Sequence, residues 1–457
     1  MAYINRSQFF ARYHEVDRSD SEVALQSVLA TCEPSEVQQG PLQDVALLVK
    51  DNIEAIGLPG SAGSLALMPF PATRDAQLVT RLRRAGADIV GAANLSEWAN
   101  FRSSESTSGW SAVGGLTGNP WILDRSAGGS SSGSGAAVAA GLVSVAIGSE
   151  TDGSIVCPAA FNGVVGLKPT VGTVPVHGVV PISETQDVPG PIAIDVALAA
   201  QTYEVISERT GMVEAVQNAT DIARTLRIGV AKTFLTQHHK TDSVFAHALT
   251  ALESHVAKIA DANVAEMTDE LHGDEYTILA TEIREDMARY LHDRLGDNDL
   301  NSLEAIVEFN RANAEHELQH FGQDIFEYAI TTQGRASKEY QDARKRSSSW
   351  AEKECLGPAL AEFDLLVSPA YGPAWKSDLT QSVKVSGGAV TSPSALLGWP
   401  LLCVPMGLVD GLPVGFTIIG RPQDEARMLA LGEVAMKAFG TRASDGFRPE
   451  FRRPQRG

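Results

Sequence analysis

Cysteine is scarce in this sequence, in which 457 residues include only four. They stand far apart, at Cys32, Cys157, Cys355 and Cys403. This spacing matches neither a zinc motif nor a disulfide framework, so we predict no metal bound through cysteine. Such sparse use of cysteine is typical of a protein from a reducing compartment.

Long hydrophobic runs are also missing. No stretch approaches 18 uncharged apolar residues, so we expect no transmembrane helix. The first ten residues lack the basic and then apolar pattern of a signal peptide, which makes a cytoplasmic protein the simplest expectation. Positive charge is in the minority, since 37 Lys and Arg face 56 Asp and Glu, and the net charge is −19. This excess disfavours nucleic-acid and membrane partners, and we expect a monomer or a homodimer.

Histidine is rare where the sequence is richest in serine. The first 230 residues contain only His14 and His177. The same part holds a Gly- and Ser-rich loop at 128–135, strong helix formers at 136–140 and a second tight loop at 148–154. An α/β core could bring the two serine-bearing loops face to face. A serine nucleophile needs a base, so another residue type has to be considered.

A lysine is the alternative base. Lys50 ends the apolar run 46–49, which is typical of a strand buried on both faces. Lysine is rarely buried, and burial disfavours its charged form, so a neutral amine could accept a proton. The spacing alone also fits, and slightly favours, a lysine at a strand end that reaches out to water.

Three motifs together resemble the amidase signature family of serine hydrolases. They are Val-Lys-Asp-Asn at 49–52, the Gly-Gly-Ser-Ser-Ser-Gly-Ser-Gly-Ala-Ala run at 128–137, and Thr-Asp-Gly-Ser-Ile-Val-Cys-Pro-Ala at 151–159. The 24-residue separation of Ser130 and Ser154 is similar to that family's pattern. Further segments at 94–102, 108–110, 164–170 and 404–415 resemble its peptide amidase branch. Several ordered motifs are far more specific than one short motif.

The resemblance implies a Ser-Ser-Lys triad. Ser154 would be the nucleophile, and Ser130, after a cis peptide bond with Gly129, would connect it to Lys50. The implied oxyanion hole consists of the backbone N–H groups of Thr151, Asp152, Gly153 and Ser154. The implied substrate pocket includes Ser104, Trp110 and Ser131, although Trp110 also fits a core aromatic residue. No cofactor and no metal are implied.

The implied fold is α/β, the amidase signature fold, with a large mixed, mainly parallel central sheet covered by helices on both faces. We expect a single amidase domain over 1–457. Its signature core spans about 40–205, a helical covering layer spans about 206–350, and a part that completes the sheet spans about 360–440. Scattered apolar positions predict one amphipathic helix over residues 6–31.

The expected reaction is amide hydrolysis through an acyl-enzyme, on peptide C-terminal amides or other small amides. Aryl amides, carbamates (urethanes) and esters are alternatives within the family, because the same nucleophile serves them. Many members have arginine where Val156 stands here. Valine lacks the positive charge of that arginine, which disfavours a substrate with a carboxylate beside the scissile bond. A glutamine-hydrolysing amidotransferase is disfavoured for the same reason. A catalytically silent scaffold is the alternative from another class, and the intact Lys50, Ser130 and Ser154 argue against it.

Two rival motifs predict other chemistry. Residues 316–320 read His-Glu-Leu-Gln-His, the pattern of a zinc protease, with Glu339 as an imaginable third ligand. The polar residues that flank this motif favour solvated histidines on a surface helix. Residues 129–133 fit the nucleophile elbow with Ser131 as nucleophile, but a loop precedes them where the elbow requires a strand.

Overall fold

Eleven strands form one mixed sheet in the computed structural model, which describes residues 3–18, 20–21, 23–34, 38–380 and 386–453. The strands are β1 (Val28–Thr31), β2 (Ala46–Lys50), β3 (Asp88–Ala93), β4 (Trp110–Ser111), β5 (Gly115–Leu116), β6 (Val145–Glu150), β7 (Val165–Lys168), β8 (Val188–Ala193), β9 (Arg227–Val230), β10 (Lys258–Asp261), β11 (Leu365–Pro369), β12 (Leu401–Val409) and β13 (Leu412–Ile419). The large sheet has the order β1-β3-β2-β6-β8-β7-β12-β13-β11-β9-β10, and β4 pairs with β5 alone.

Parallel pairing is concentrated in two parts of this sheet. One part is β3-β2-β6 and the other is β11-β9-β10. Antiparallel pairs from β6 to β11 connect them, and β1 adds an antiparallel edge. The predicted large mixed sheet is confirmed.

Helices cover both faces of the sheet. They are α1 (Arg6–Val16), α2 (Gln77–Arg84), α3 (Ser132–Ala139), α4 (Val156–Asn162), α5 (Val196–Ser207), α6 (Met212–Gln217), α7 (Ala219–Ala223), α8 (His239–Leu252), α9 (Asp269–Leu295), α10 (Leu303–Ala312), α11 (Ala314–Glu317), α12 (Asp324–Ala329), α13 (Lys338–Trp350), α14 (Leu356–Glu362), α15 (Ser392–Leu397) and α16 (Glu425–Phe439). Short 3₁₀ turns lie at Glu97–Asn100, Lys232–Phe234, Glu253–His255 and Ala443–Asp445, and a π turn lies at Ala351–Cys355. Among the described residues, no helix combines the length and apolar character needed to cross a bilayer.

Strand β2 is buried along its whole length, as its apolar run predicts. Leu47 and Val49 pack into the core that contains α2, α5 and α16. Ala46 and Leu48 pack into the opposite core, which contains α3 and α4. Because side chains alternate along a strand, Lys50 lies on the same face as Ala46 and Leu48. The fold therefore directs the Lys50 amine towards α3 and α4.

Two predictions about local structure are wrong. Residues 6–31 do not form one helix, because α1 ends at Val16 and β1 follows. The carboxylate of Asp17 accepts hydrogen bonds from the backbone N–H groups of Ser27 (2.8 Å) and Val28 (3.0 Å), which turns the chain back. The covering layer at 206–350 is not helical throughout, because its strands β9 and β10 extend one edge of the sheet.

Candidate functional site

Three chain segments meet where β2 ends. Strands β2 and β6 are parallel neighbours, so their carboxyl ends lie at the same edge of the sheet. The first segment is Lys50 itself, and the second is the nucleophile loop, residues 151–155 between β6 and α4. The third is the serine loop, residues 128–131 before α3, in which the bond between Gly129 and Ser130 is cis, as expected. The sheet thus brings all three sequence motifs to one place.

The Lys50 amine is fully buried and makes three close polar contacts. Its Nζ lies 2.7 Å from Ser130 Oγ, 3.0 Å from Ser149 Oγ and 3.2 Å from the Ser149 carbonyl oxygen. A neutral amine has two N–H donors and one lone pair. The two donors match the two oxygens of Ser149, and the lone pair can then accept the Ser130 hydroxyl proton. The geometry therefore suits an uncharged amine that polarises Ser130.

Burial lowers the pKa of the Lys50 amine to about 7, because the charged form loses its hydration. The negative charges of Asp187 and Glu150 oppose this shift without cancelling it. An amine with this pKa is substantially uncharged at neutral pH. The alternative of a lysine extended into water is wrong, because no part of the Lys50 side chain is exposed.

The serine loop is fixed by hydrogen bonds on both sides. The Ser130 carbonyl oxygen accepts from the Ser96 N–H (3.0 Å). Ser131 Oγ donates to the Ser149 carbonyl oxygen (3.1 Å) and accepts from the Ser149 N–H (3.2 Å). Ser131 is therefore tied to β6. A side chain at Gly129 would overlap the Ser96 hydroxyl, so glycine is required for this close approach.

The nucleophile loop packs directly against the serine loop. The Ser131 N–H donates to the carbonyl oxygen of half-buried Ser154 (3.1 Å). The Glu150 carboxylate accepts from the N–H groups of Ile155 (2.6 Å) and Val156 (2.9 Å), which closes the turn into α4. Gly153 has a φ of 79°, a conformation that favours glycine. The two predicted serines are thus on adjoining backbone segments.

Four consecutive backbone donors of this loop are free of protein partners. Among the described residues, no hydrogen bond involves the N–H groups of Thr151, Asp152, Gly153 or Ser154. Buried backbone N–H groups are nearly always paired. A run of unpaired donors beside a serine can therefore receive an oxyanion.

Acidic groups surround the nucleophile loop. Thr151 Oγ1 donates to Asp187 (2.5 Å), whose carboxylate also accepts from the N–H groups of Ile182 and Ser183. Burial raises the pKa of Asp187 to about 6. Burial also raises the pKa of Glu150, which the charge of Lys168 opposes. The loop is therefore held by carboxyl groups on several sides.

The three residues predicted to line the substrate pocket lie in different environments. Ser131 lies in the serine loop, whereas Ser104 is exposed, and its N–H donates to the Asp324 carboxylate (3.1 Å). Trp110 is buried and packs edge-on against His320 and Phe321, with ring centroids 5.2 and 5.1 Å away. A role of Ser104, Trp110 and Ser131 in binding substrate stays a prediction.

The zinc-protease interpretation of residues 316–320 is wrong. Helix α11 ends at Glu317, so His316 and His320 do not lie on one helical face. The Glu317 side chain is buried and accepts from Ser64 Oγ (2.9 Å) and the Leu65 N–H (2.6 Å). Glu317 therefore joins the covering layer to the loop that follows β2. The nucleophile-elbow alternative also lacks support, because no strand leads into Ser131.

Sequence reasoning missed several polar residues of the site. Ser149 contacts the amine, and the Asn52 side chain donates to Ser149 Oγ (2.9 Å). Glu150 closes the turn that carries Ser154. A weak signal existed for Glu150, since it is a charged residue at the end of an otherwise apolar strand. No comparable signal marks Asp187, which is distant in sequence.

Comparison with known proteins gives consistent results. The sequence profile of the amidase family matches residues 7–429. The chain is 35% identical over 415 residues to a glutamyl-tRNA(Gln) amidotransferase subunit of Methanosarcina acetivorans, covering 86% of this chain and 84% of that protein. It is 32% identical to a probable amidase of Arabidopsis thaliana, covering 92% and 81%.

Solved structures agree with these relatives. The native peptide amidase from Stenotrophomonas maltophilia superposes with a TM-score of 0.85 at 36% identity, covering 95% of this chain and 93% of that one. A structure of the peptide amidase PAM in complex with the competitive inhibitor chymostatin superposes with a TM-score of 0.88 at 36% identity, covering 95% and 94%.

Proposed function

Because the chain belongs to the amidase family and is a hydrolase of carbon–nitrogen bonds other than peptide bonds, we propose that Lys50, Ser130 and Ser154 cleave linear amides as a catalytic triad. The observation that carries the proposal is the 2.7 Å contact between the buried Lys50 amine and Ser130. The N–H donor run at 151–154 supports it independently, because these unpaired donors are contiguous with Ser154 and could stabilise an oxyanion.

The proposed first half-reaction begins with two coupled proton transfers. The uncharged Lys50 amine accepts the Ser130 hydroxyl proton while Ser130 accepts the proton of Ser154. Ser154 Oγ forms a bond to the amide carbon, and the oxyanion is stabilised by the loop N–H groups. The proton then returns through Ser130 to the leaving nitrogen as the carbon–nitrogen bond breaks. The products are an acyl-enzyme and a free amine or ammonia.

In the second half-reaction water takes the place of the amine. The same relay removes a proton from water, the hydroxide oxygen bonds to the acyl carbon, and Ser154 leaves with the proton that the relay gives back. A base works best when its pKa lies near the working pH, and the lowered pKa of Lys50 meets this condition. In this scheme Lys50, Ser130 and Ser154 carry out every proton transfer and bond exchange with the substrate and water.

We propose an uncharged amide, such as a peptide C-terminal amide, as the substrate. Val156 stands where an arginine would attract a carboxylate, and Glu150, Asp152 and Asp187 lie around the nucleophile loop. A negative charge beside the scissile bond would therefore be repelled. The likeness to solved peptide amidases supports the same substrate class.

A fluorophosphonate probe and a substrate panel test this proposal. We expect one covalent adduct, on Ser154, and hydrolysis of a blocked dipeptide amide that ends in asparagine. The matched amide that ends in aspartate should release its C-terminal ammonia with a kcat/KM about tenfold lower, because its side chain adds a negative charge near acidic groups. An anilide and an aryl carbamate of the same acyl group complete the panel.

The outcomes separate the alternatives. Folded protein without an adduct on Ser154 would indicate a silent scaffold. A carbamate or ester preferred over the dipeptide amide would leave the triad in place and overturn the substrate class. Equal rates for the asparagine and aspartate amides would contradict the electrostatic argument.

A further inference from the structure

Helix α9 of the covering layer presents buried carboxyl groups to the catalytic side of the molecule. Glu282 accepts from Ser183 Oγ (2.5 Å) and the Tyr340 hydroxyl (2.5 Å). Asp286 accepts from the Glu184 N–H (2.8 Å). Ser183 and Glu184 belong to the loop before β8, which also carries Asp187, whereas Tyr340 belongs to α13. The helix is thus part of the support for the site as well as its cover.

Glu275, on the same helix, reaches the nucleophile loop itself. Its Oε1 accepts from the Gln186 side-chain amide (3.1 Å), and its carboxyl group lies within hydrogen-bonding distance of the Asp152 carboxyl group. Asp152 Oδ2 is occupied by the Ser392 hydroxyl (2.7 Å). The buried Oδ1 of Asp152 has no donor among the described residues. A proton on one of the two acids would let them share a hydrogen bond and would give Asp152 a donor.

Two adjacent buried carboxyl groups cannot both be ionised at low cost, because the like charges repel each other in a poorly hydrated place. Burial raises the pKa of Glu275 well above its usual range, and the charge of Asp152 raises it further. Glu275 is therefore the member of the pair that keeps the proton. Its O–H group can then donate to the Asp152 carboxylate, whose buried Oδ1 has no other donor among the described residues.

We propose that Glu275 is a positioning residue, which holds the nucleophile loop in place by donating a hydrogen bond to Asp152. The inference rests on the proposed function, because it assigns the loop N–H groups and Ser154 to catalysis. The hydrogen bond fixes the residue before Gly153, whose left-handed conformation sets the direction of the Ser154 backbone. A loop displacement of about 1 Å can lower a rate by about 10²-fold.

Several other charged groups lie near Glu275 and Asp152 and influence how the pair responds to pH. The charge of Asp152 acts on the pKa of Glu150 in β6, of Lys168 in β7 and of Tyr371 after β11, so these three groups lie near the pair. On α9, the neighbouring Asp274 is neutralised by Arg346 of α13. Loss of the shared proton at alkaline pH would leave two facing carboxylates. Because these repel each other, the nucleophile loop should loosen and kcat should fall.

Three variants test the proposal. Glu275→Ala removes the hydrogen bond, and we expect kcat to fall about 10- to 100-fold with KM changed less than about threefold. Glu275→Gln keeps it, because the glutamine oxygen can accept from Gln186 and its NH₂ group can donate to Asp152. This variant should restore most of kcat at neutral pH and remove the alkaline decline of the wild type. Glu270→Gln is the matched control, since it removes an exposed carboxylate from the same helix.

Infrared spectroscopy gives a readout that does not depend on turnover. The carbonyl stretching band of a protonated carboxyl group at neutral pH should be present in wild type and in Glu270→Gln and weaker in Glu275→Gln. A band of equal strength in Glu275→Gln would overturn the shared proton even if no substrate is found. A wild-type kcat in Glu275→Ala, or a Glu275→Gln variant as slow as Glu275→Ala, would overturn the positioning role while leaving Ser154 labelling intact.

Discussion

Lys50→Met is expected to lower kcat/KM by on the order of 10⁴-fold or more. Methionine fills a similar volume but offers neither a lone pair that accepts the Ser130 proton nor an N–H for Ser149. The measurement is steady-state hydrolysis of the best amide at neutral pH. Lys168→Met is the control for loss of a buried amine, because Lys168 is also fully buried, donates to the Trp399 carbonyl oxygen (2.7 Å), and acts on the site through its charge near Glu150. The control should lose far less activity.

The same substitution should not destabilise the protein at neutral pH. The unfolded amine has a pKa near 10.5 and the folded one about 7, so the unfolded chain binds an extra proton between these values. Stability is therefore lost as pH falls from about 10.5 to 7, by about 5 kcal/mol if nothing offsets it. Methionine avoids this cost but removes the amine partner of Ser130, whereas Ser149 keeps its hydrogen bonds with Asn52 and Ser131. A Lys50→Met variant with low activity and a wild-type or higher Tm would show that the substitution impairs catalysis and not folding.

Ser154→Ala and Ser130→Ala should differ in a way that identifies the nucleophile. Ser154→Ala is expected to abolish the fluorophosphonate adduct and to lower kcat by on the order of 10⁵- to 10⁶-fold. Ser130→Ala interrupts the proton path but keeps the nucleophile, so the adduct should form more slowly, by about 10²- to 10⁴-fold. Mass spectrometry of the labelled peptide and the labelling rate are the measurements.

Ser131→Ala completes this comparison. The adduct should remain on Ser154, because the Ser131 hydroxyl is engaged in hydrogen bonds that tie the serine loop to β6. An adduct located on Ser130 or Ser131, or a Ser154→Ala variant that still labels, would contradict the assignment of the nucleophile.

Strong local patterns predicted the centre of the fold well. The uninterrupted apolar run before Lys50 is the pattern of a strand buried on both faces, and β2 is such a strand. The helix predicted after the Gly- and Ser-rich loop is present as α3, although it begins earlier, at Ser132. The loop sequences around Ser130 and Ser154 identified the segments that the sheet brings together.

The errors have a common physical cause, which is that contacts distant in sequence decided the local structure. Asp17 turns the chain back by accepting from Ser27 and Val28, and no periodicity signals such a turn. Strands β9 and β10 have four residues each, too short for a clear pattern, and they form because β11 offers a free edge. Glu317 looked solvated because its neighbours are polar.

The residues that hold the site in place could not be predicted, because their contacts are also distant in sequence. Ser392 donates to Asp152 across 240 residues of sequence, and Gln186 donates to Glu275 across 89. A glutamate within a helix of mixed charge is ordinarily exposed, so Glu275 carried no signal of its own. Only the packing of α9 against the nucleophile loop reveals its partner. Local patterns therefore predicted the reacting groups, whereas the groups that hold them required the structure.

The most direct test of the central claim is the pH dependence of the rate at which a fluorophosphonate inactivates the wild-type protein. If an uncharged Lys50 amine drives Ser154 through Ser130, the rate should rise about tenfold per pH unit on the acid side and level off above about pH 7. Lys50→Met should give a low rate without this rise. A wild-type rate that stays constant across the range from about pH 5 to about pH 8 would show that no group with the lowered pKa of Lys50 activates the nucleophile.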